Sequence, residues 1–315
     1  MLLVVDQPAT IGALPVAVAL DEGVTVAYLP GLAMRRIADL HPGSAKTDAR
    51  DAAVIADAAR TMPHTLRALK RDDETIAELT VLSGFDDDLA QQITATSNRI
   101  RGLLTEIHTA LERVLGPRMD HPAVLDLLET WPVPADLTAA GKSKVRTRLL
   151  KRAPRIGGRL TEEIFAALAA QTVVVTGTNA AAVVLPRLAA QLASLRAQRA
   201  EVAEKVEELV AAHPLSKVLT TMPGVGVRTC ARLLTEVVGK DFPTAGHLAS
   251  YAGLAPVTRR SGSSIRGEHP PRGGNKVLKR ALFLSAFAAL SDPVSVEWER
   301  PTWRVSWRDG RPERR

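Results

Sequence analysis

Three serines, Ser261, Ser263 and Ser264, surround Gly262 in the stretch Arg259 to Arg280, RRSGSSIRGEHPPRGGNKVLKR, which carries seven Lys/Arg and a single Glu. A hydroxyl on a short glycine-containing turn in a dense positive field suits attack on a phosphodiester. The cations draw in the polyanion, and Arg259, Arg260, Arg266 and Lys276 would screen the charge of a phosphoryl transition state. One hydroxyl could then bond to phosphorus and form a covalent phosphoserine. Serine is a weak nucleophile at neutral pH, so it needs a metal or a base; His247 and His269 are candidate bases. The bland reading is that the serines are turn formers beside glycine.

A second constellation lies near the N-terminus. Leu2 to Val5 is an apolar run that predicts a buried strand, with Asp6 at its end. The later stretch AKTDARDAAVIADAAR predicts a helix on which Asp48 and Asp51, three residues apart, share a face. One carboxylate at a strand end and two on a neighbouring helix are oxygen ligands suited to Mg2+, which polarises a phosphodiester as in RNase H-like nucleases. An Asp-x-x-Asp pair on a helix is also an ordinary solvated face.

The elements that must carry these groups divide the chain. Up to residue 70 the pattern is α/β: strands at Leu2 to Val5 and Thr25 to Leu29, helices at Ile11 to Ala19, near Ala33 to Leu40 and in the Asp48 segment. From Asp72 to Leu115 a helix or pair of helices carries Ile93, Ile100, Ile107 and Val114 at seven-residue spacing, with Leu89, Leu103 and Ala110 near the companion positions. A second heptad stretch has Leu188, Leu195, Val202 and Leu209 in one row and Leu185, Leu192 and Val206 in the other. Both read as coiled coils, either as a dimer interface or as an intramolecular antiparallel hairpin. Later, TMPGVGVRTCARLL places Gly224 and Gly226 before an apolar helix, the pattern of a helix-hairpin-helix whose turn amides can hold a phosphate. The last helix, Lys276 to Leu290, begins basic and turns apolar.

Charge follows the same division. The formal net charge is +7, and residues 255–315 alone hold 13 basic and 6 acidic side chains. Gly141 to Arg159 adds eight basic residues and no acid. Two basic surfaces suit a polyanionic partner better than a merely solvated face. The single cysteine, Cys230, excludes an intrachain disulfide and a cysteine zinc cluster and fits a reducing, cytoplasmic setting. No membrane span and no secretory leader are predicted.

Taken together, VVDQPATIGALP, YLPGLAMRRIADLHPGSAKTDARDAAVIADAAR, MPGVGVRTCARLL and YAGLAPVTRRSGSSIRGEHPPRGGNKVLKRAL resemble the DEDD-type transposases of the insertion-sequence-110 family, over most of the chain up to about Leu290. The resemblance implies an α/β plus all-α architecture: an RNase H-like (RuvC-like) domain, coiled-coil helices, and a helical C-terminal transposase domain with the helix-hairpin-helix-like element. It implies recombination through acidic Mg2+ ligands and a serine nucleophile, in an oligomer guided by an RNA, the bridge RNA. By position, Asp48 and Asp51 match the last two acids of the family's tetrad, Asp6 the second, and Ser261 the serine before glycine; the first acid has no counterpart. Family members begin several tens of residues earlier, so the expectation is an N-terminally truncated, incomplete first domain.

The expected organisation is a partial RNase H-like domain at 1–70, a long helix or coiled coil at 71–116, a helical basic linker region at 117–180, a coiled coil at 181–213, a C-terminal transposase domain at 214–291 and a disordered, divergent tail at 292–315. The tail holds three of the four tryptophans, a change of character that suggests a shifted reading frame. The expected nucleic-acid contacts are Arg259, Arg260, Arg266, Arg272, Asn275, Lys276, Lys279, Arg280, Gly224 and Gly226. The expected partners are double-stranded DNA, a guide RNA and further copies of the chain through its heptads. The rival readings are a non-catalytic, dimeric nucleic-acid-binding protein and a nuclease that uses the acids alone.

Overall fold

The chain is seen in a computed structural model that describes residues 1–41, 47–70, 73–261, 265–290, 307–308 and 311–312. For residues 259–261, 265–266, 307–308 and 311–312 only the backbone is described. The chain forms two compact units, residues 1–77 with 237–241, and residues 78–236 with 242–315.

In the first unit the apolar run LLVV forms β1 (Leu2–Val5), followed by α1 (Ala13–Asp21) and β2 (Thr25–Tyr28). β1 and β2 pair in parallel, Leu2 opposite Thr25, as expected of two strands joined by a helical crossover. Then come α2 (Gly31–Ala38), α3 (Asp48–Thr61) and β3 (Arg67–Leu69). β3 pairs antiparallel with β2, so β2 is central. Sequence reading missed β3, because Arg-Ala-Leu has no apolar alternation to mark a strand. Leu29, Ile37, Val54 and Ala58 are buried together, and Val4, Met34, Ile55 and Leu66 pack around them. This core fixes the face that α3 presents.

The second unit is helical. It is built from α4 (Glu74–Leu115), α5 (Pro122–Thr130), α6 (Pro134–Ala140), α7 (Lys142–Arg152), α8 (Gly157–Ala169) and α9 (Thr178–Ala212). α4 is two helices joined at His108, whose extended backbone (φ −164°, ψ 83°) breaks the run. The His108 Nδ1 accepts the Leu111 N–H at 3.0 Å and so caps the second segment. Arg101 Nε donates to Glu112 Oε1 at 2.7 Å across the break. In a straight helix eleven residues span about 16 Å, beyond the reach of this pair.

Residues 117–180, expected as a basic linker region, are α5 to α8 with the turns between them, and they help build the largest core. Leu104 and Leu111 of α4, Leu127 and Leu128 of α5, Leu137, Val145, Leu149, Leu160 and Ile164 of α6 to α8, and Leu185 and Leu192 of α9 are buried there. The heptad residues Ile100, Ile107, Leu188, Leu195, Val202 and Val206 are likewise buried within one chain. Ile93, Leu103, Ala110, Val114 and Leu209 of the same rows are half-buried.

The unit continues through α10 (Ser216–Leu219), α11 (Val227–Val237), α12 (Ala245–Tyr251), β4 (Val257–Ser261), β5 (Ile265–His269) and α13 (Lys276–Ala289). Residues expected as a loop between helices are thus a two-stranded ribbon, Val257 opposite His269 and Ser261 opposite Ile265. Gly262, Ser263 and Ser264 lie outside the described residues. So does most of the tail, apart from β6 (Trp307–Arg308), which pairs antiparallel with β7 (Arg311–Pro312). Among the described residues no helix is long and apolar enough to cross a membrane.

Candidate functional site

In the first unit the acids of the KTDARDA stretch open α3. Thr47 is its N-cap: the backbone is extended, and Oγ1 accepts the Arg50 N–H at 3.3 Å while the Thr47 carbonyl accepts the Asp51 N–H at 3.0 Å. Asp48 and Asp51 occupy the first turn, where a negative charge is favoured by the helix dipole. Asp48 is exposed and Asp51 half-buried. The Arg50 guanidinium turns back to donate to the carbonyls of Ala38 (3.3 Å) and His41 (3.0 Å), tying the end of α2 to the start of α3.

Asp6 is exposed immediately after β1. Among the described residues no three His, Cys, Asp or Glu side chains are grouped to hold a metal ion, so Asp6, Asp48 and Asp51 are not gathered into one ligand set. Asp48 and Asp51 remain a pair of hard oxygen donors one turn apart. That pair fits Mg2+, which is commonly held by one or two carboxylates and completes its shell with water and substrate phosphate oxygens.

In the second unit two glycine contacts set the arrangement of α11, α12 and α13. Gly224 has φ +74°, and a Cβ there would lie 2.1 Å from the Ser285 carbonyl oxygen of α13, so only glycine fits. The Pro223–Gly226 turn is therefore packed on α13 at Gly224, while Gly226 has open space around its Cα. Gly253 and Gly274, both at positive φ, face each other: a Cβ on Gly274 would lie 2.5 Å from the Gly253 Cα.

That close approach brings Asn275 to the end of α12. Its N–H donates to the Tyr251 carbonyl at 2.7 Å, and its Oδ1 accepts the Leu278 N–H at 3.0 Å as the N-cap of α13. Its Nδ2 donates to Glu236 Oε2 and, at 3.0 Å, to the Tyr251 hydroxyl. Expected as a nucleic-acid contact, Asn275 spends its side chain holding three helices together.

Arg272, Lys276 and Arg280 are exposed and Lys279 is half-buried around the start of α13. The side chains of Arg259, Arg260, Ser261 and Arg266 lie outside the described residues; their backbones place Ser261 at the end of β4 and Arg266 opposite Arg260 in β5. Of the candidate bases, His247 is exposed with Nδ1 2.7 Å from Thr244 Oγ1, and His269, exposed, ends β5.

One group escaped sequence reading. Asp86 of α4 receives both Nε and Nη2 of Arg199 of α9, at 2.8 and 3.1 Å, and Arg228 of α11 stands 3.8 Å away. Arg232 of α11 reaches Asp87 at 2.7 Å and the Ser83 carbonyl at 2.6 Å. Burial pushes the Asp86 carboxyl up, but the Arg199 hydrogen bond and the charges of Arg228, Arg199 and Arg232 outweigh it and hold the group below the usual carboxylate range. The network anchors α11, and with it the Gly224 turn, to α4 and α9. The consecutive acids Asp86 to Asp88 inside a heptad helix were the available signal.

Comparison with known proteins covers both units. Residues 1–109 match the DEDD-type IS110 transposase family, described as "Transposase", and residues 216–297 match the family described as "Transposase IS116/IS110/IS902 family". A 43.6 kDa protein of insertion element IS110 from Streptomyces coelicolor is 62% identical over 94% of this chain and 73% of its own length. A 42 kDa protein of insertion element IS900 from Mycobacterium paratuberculosis is 33% identical over 92% of this chain and 73% of its own. The mini-circle putative transposase for IS117 of Streptomyces coelicolor is 32% identical over 90% and 73%.

Proposed function

The chain belongs to the IS110 family of transposases, and on that premise we propose that it cuts and rejoins DNA strands of an insertion element by serine chemistry assisted by Mg2+. The observation that carries the reading is the first turn of α3, where Thr47 and Arg50 fix the backbone that bears Asp48 and Asp51. Among the described residues neither carboxylate is taken up by an ion pair. Asp48 and Asp51 would hold the metal; Asp6, the third acid of the proposed set, is not gathered with them and would have to approach them when the metal binds. Bound there, Mg2+ would supply charge neutralisation for the phosphodiester oxygens.

Ser261 is the nucleophile, chosen over Ser263 and Ser264. Its Oγ bonds to phosphorus as the bond from phosphorus to the departing strand's terminal oxygen breaks. The serine proton passes to water, and the departing oxygen takes up a proton. Attack by a strand hydroxyl on the phosphoserine reverses the exchange and frees Ser261. Arg259, Arg260, Arg266, Arg272, Lys276, Lys279 and Arg280 hold the backbone phosphates, and the amides of Gly224 and Gly226, in the turn read as a helix-hairpin-helix, add to that hold, while the Val225 N–H is bonded to the Met222 carbonyl.

The parallel β1 and β2 with antiparallel β3 are taken as part of an RNase H-like domain. A guide RNA and further copies of the chain complete the working particle in the cytoplasm. Those copies associate through the heptad helices, where Ile93, Leu103, Val114 and Leu209 are only half-buried.

The test uses the purified chain, Mg2+ and a labelled duplex carrying the element's end. A protein–DNA adduct that resists denaturation and disappears in Ser261→Ala supports the reading, as does loss of cutting in Asp48→Asn. Metal-dependent cutting that survives Ser261→Ala points to a nuclease. Binding with no strand breakage points to the non-catalytic reading.

A further inference from the structure

The basic block around α7 has no part in the proposed reaction. Its eight cations divide into two sets. Lys142 pairs with Glu162, Arg159 with Glu163 at 3.4 Å, and Arg148 and Arg152 both with Asp126, at 2.6 and 3.0 Å. The Lys142 pair ties α7 to α8, the Arg148 and Arg152 pairs tie it to α5, and Arg159–Glu163 lies within α8. Lys144, Arg146, Lys151 and Arg155 are exposed and, among the described residues, meet no acid; Arg146, two residues on from Lys144, lies on the other side of the helix. Lys144 and Lys151 are seven residues apart and share one face of α7, and Arg155 lies in the turn just beyond.

The face is fixed in two ways. Val145 and Leu149 are buried in the core beneath it, and the Asp126 carboxylate pins Arg148 between the two lysines. Lys144 Nζ and the Arg148 guanidinium sit 5.9 and 5.7 Å from the centre of the Trp131 ring. An exposed aromatic ring among the cations would indicate stacking with single-stranded bases. Here Trp131 is only 8% exposed, so it offers no platform. Phosphate contact alone remains. By helical rise Lys144 and Lys151 stand about 10 Å apart, far enough for each to meet a separate phosphate of a polyanionic backbone.

We propose that the Lys144–Lys151–Arg155 face binds the phosphate backbone of duplex DNA, without regard to sequence, as a second contact separate from the Ser261 ribbon. This rests on the reading that the chain acts on DNA but requires no strand cutting. The test is fluorescence-anisotropy binding of the full chain to a labelled duplex of unrelated sequence, without Mg2+, over a range of salt concentrations. Each lost phosphate contact lowers the slope of log K against log salt by about 0.9.

The triple variant Lys144→Gln/Lys151→Gln/Arg155→Gln is expected to flatten the slope by two to three such steps. The control variant Arg99→Gln/Arg113→Gln/Arg187→Gln, exposed cations elsewhere with the same charge change, is expected to leave it nearly unchanged. Restoring charge with Lys144→Arg/Lys151→Arg/Arg155→Lys is expected to restore the slope, which separates lost contacts from lost folding. An equal effect in the control, an unchanged slope in the triple variant, or loss confined to a folded RNA probe would each overturn the proposal.

Discussion

Single positions carry most of the geometry on which the account depends. Thr47 caps α3, and Thr47→Ala removes the oxygen that accepts the Arg50 N–H. The expected loss is about 1 kcal/mol of stability, read by denaturant melting, with a larger effect on cutting because the turn bearing Asp48 and Asp51 is loosened. Gly224→Ala places a methyl 2.1 Å from the Ser285 carbonyl at a positive φ. The backbone strain alone costs roughly 1–2 kcal/mol, and the clash forces the turn off α13. The second unit should therefore melt earlier, and a melt indistinguishable from the parent would contradict the packing.

The acids, the serine run and the glycines were legible as residue types in the sequence. The separate uses of Gly224 and Gly226 were not, because a turn glycine demanded by its own backbone and one demanded by a neighbouring helix look alike until the neighbour is in place.

At the scale of elements, His108 divides what the heptads present as one helix. Its side chain is 6% exposed, and Nε2 has no partner among the described residues. Burial lowers its pKa from the ordinary histidine value. The unfolded chain therefore binds the proton more readily, so the stability contributed by neutral His108 is present above about pH 6.5 and is lost as the pH falls through the depressed folded value. Thermal melts from pH 7.5 to 5 should show a fall that His108→Asn, which keeps a capping oxygen but does not titrate, makes shallower.

The Asp86 network makes the complementary statement about α11. Asp86→Asn leaves Arg199 half-paired, and because that guanidinium is 28% exposed the cost should be about 2 kcal/mol, below the ~3–5 of a fully buried pair. The helices themselves could be read from heptad spacing. The break at His108 could not, since a histidine in a helical pattern carries no stop signal, and neither could the Asp86–Arg199 bond, which joins residues 113 apart.

Over the whole molecule, charge organises function. The chain carries a formal +7, and duplex affinity should fall steeply between 50 and 200 mM salt, by roughly a hundredfold or more if several phosphates are contacted. The family could be read from motifs that span both units, because those motifs fix residue type as well as spacing. Which heptad positions are buried within the chain could not be read, because apolar rows specify burial without specifying the partner. The ribbon that carries Ser261 was hidden by its own composition, Arg and Gly-Ser residues that resemble a loop.

The central claim is that Ser261 becomes joined to DNA. The most direct measurement is mass spectrometry of protease-digested chain after reaction with duplex and Mg2+. The account predicts a nucleotide-bearing phosphopeptide whose modified residue is Ser261. Strand cutting with no such peptide, or with the nucleotide on any other residue, would contradict it.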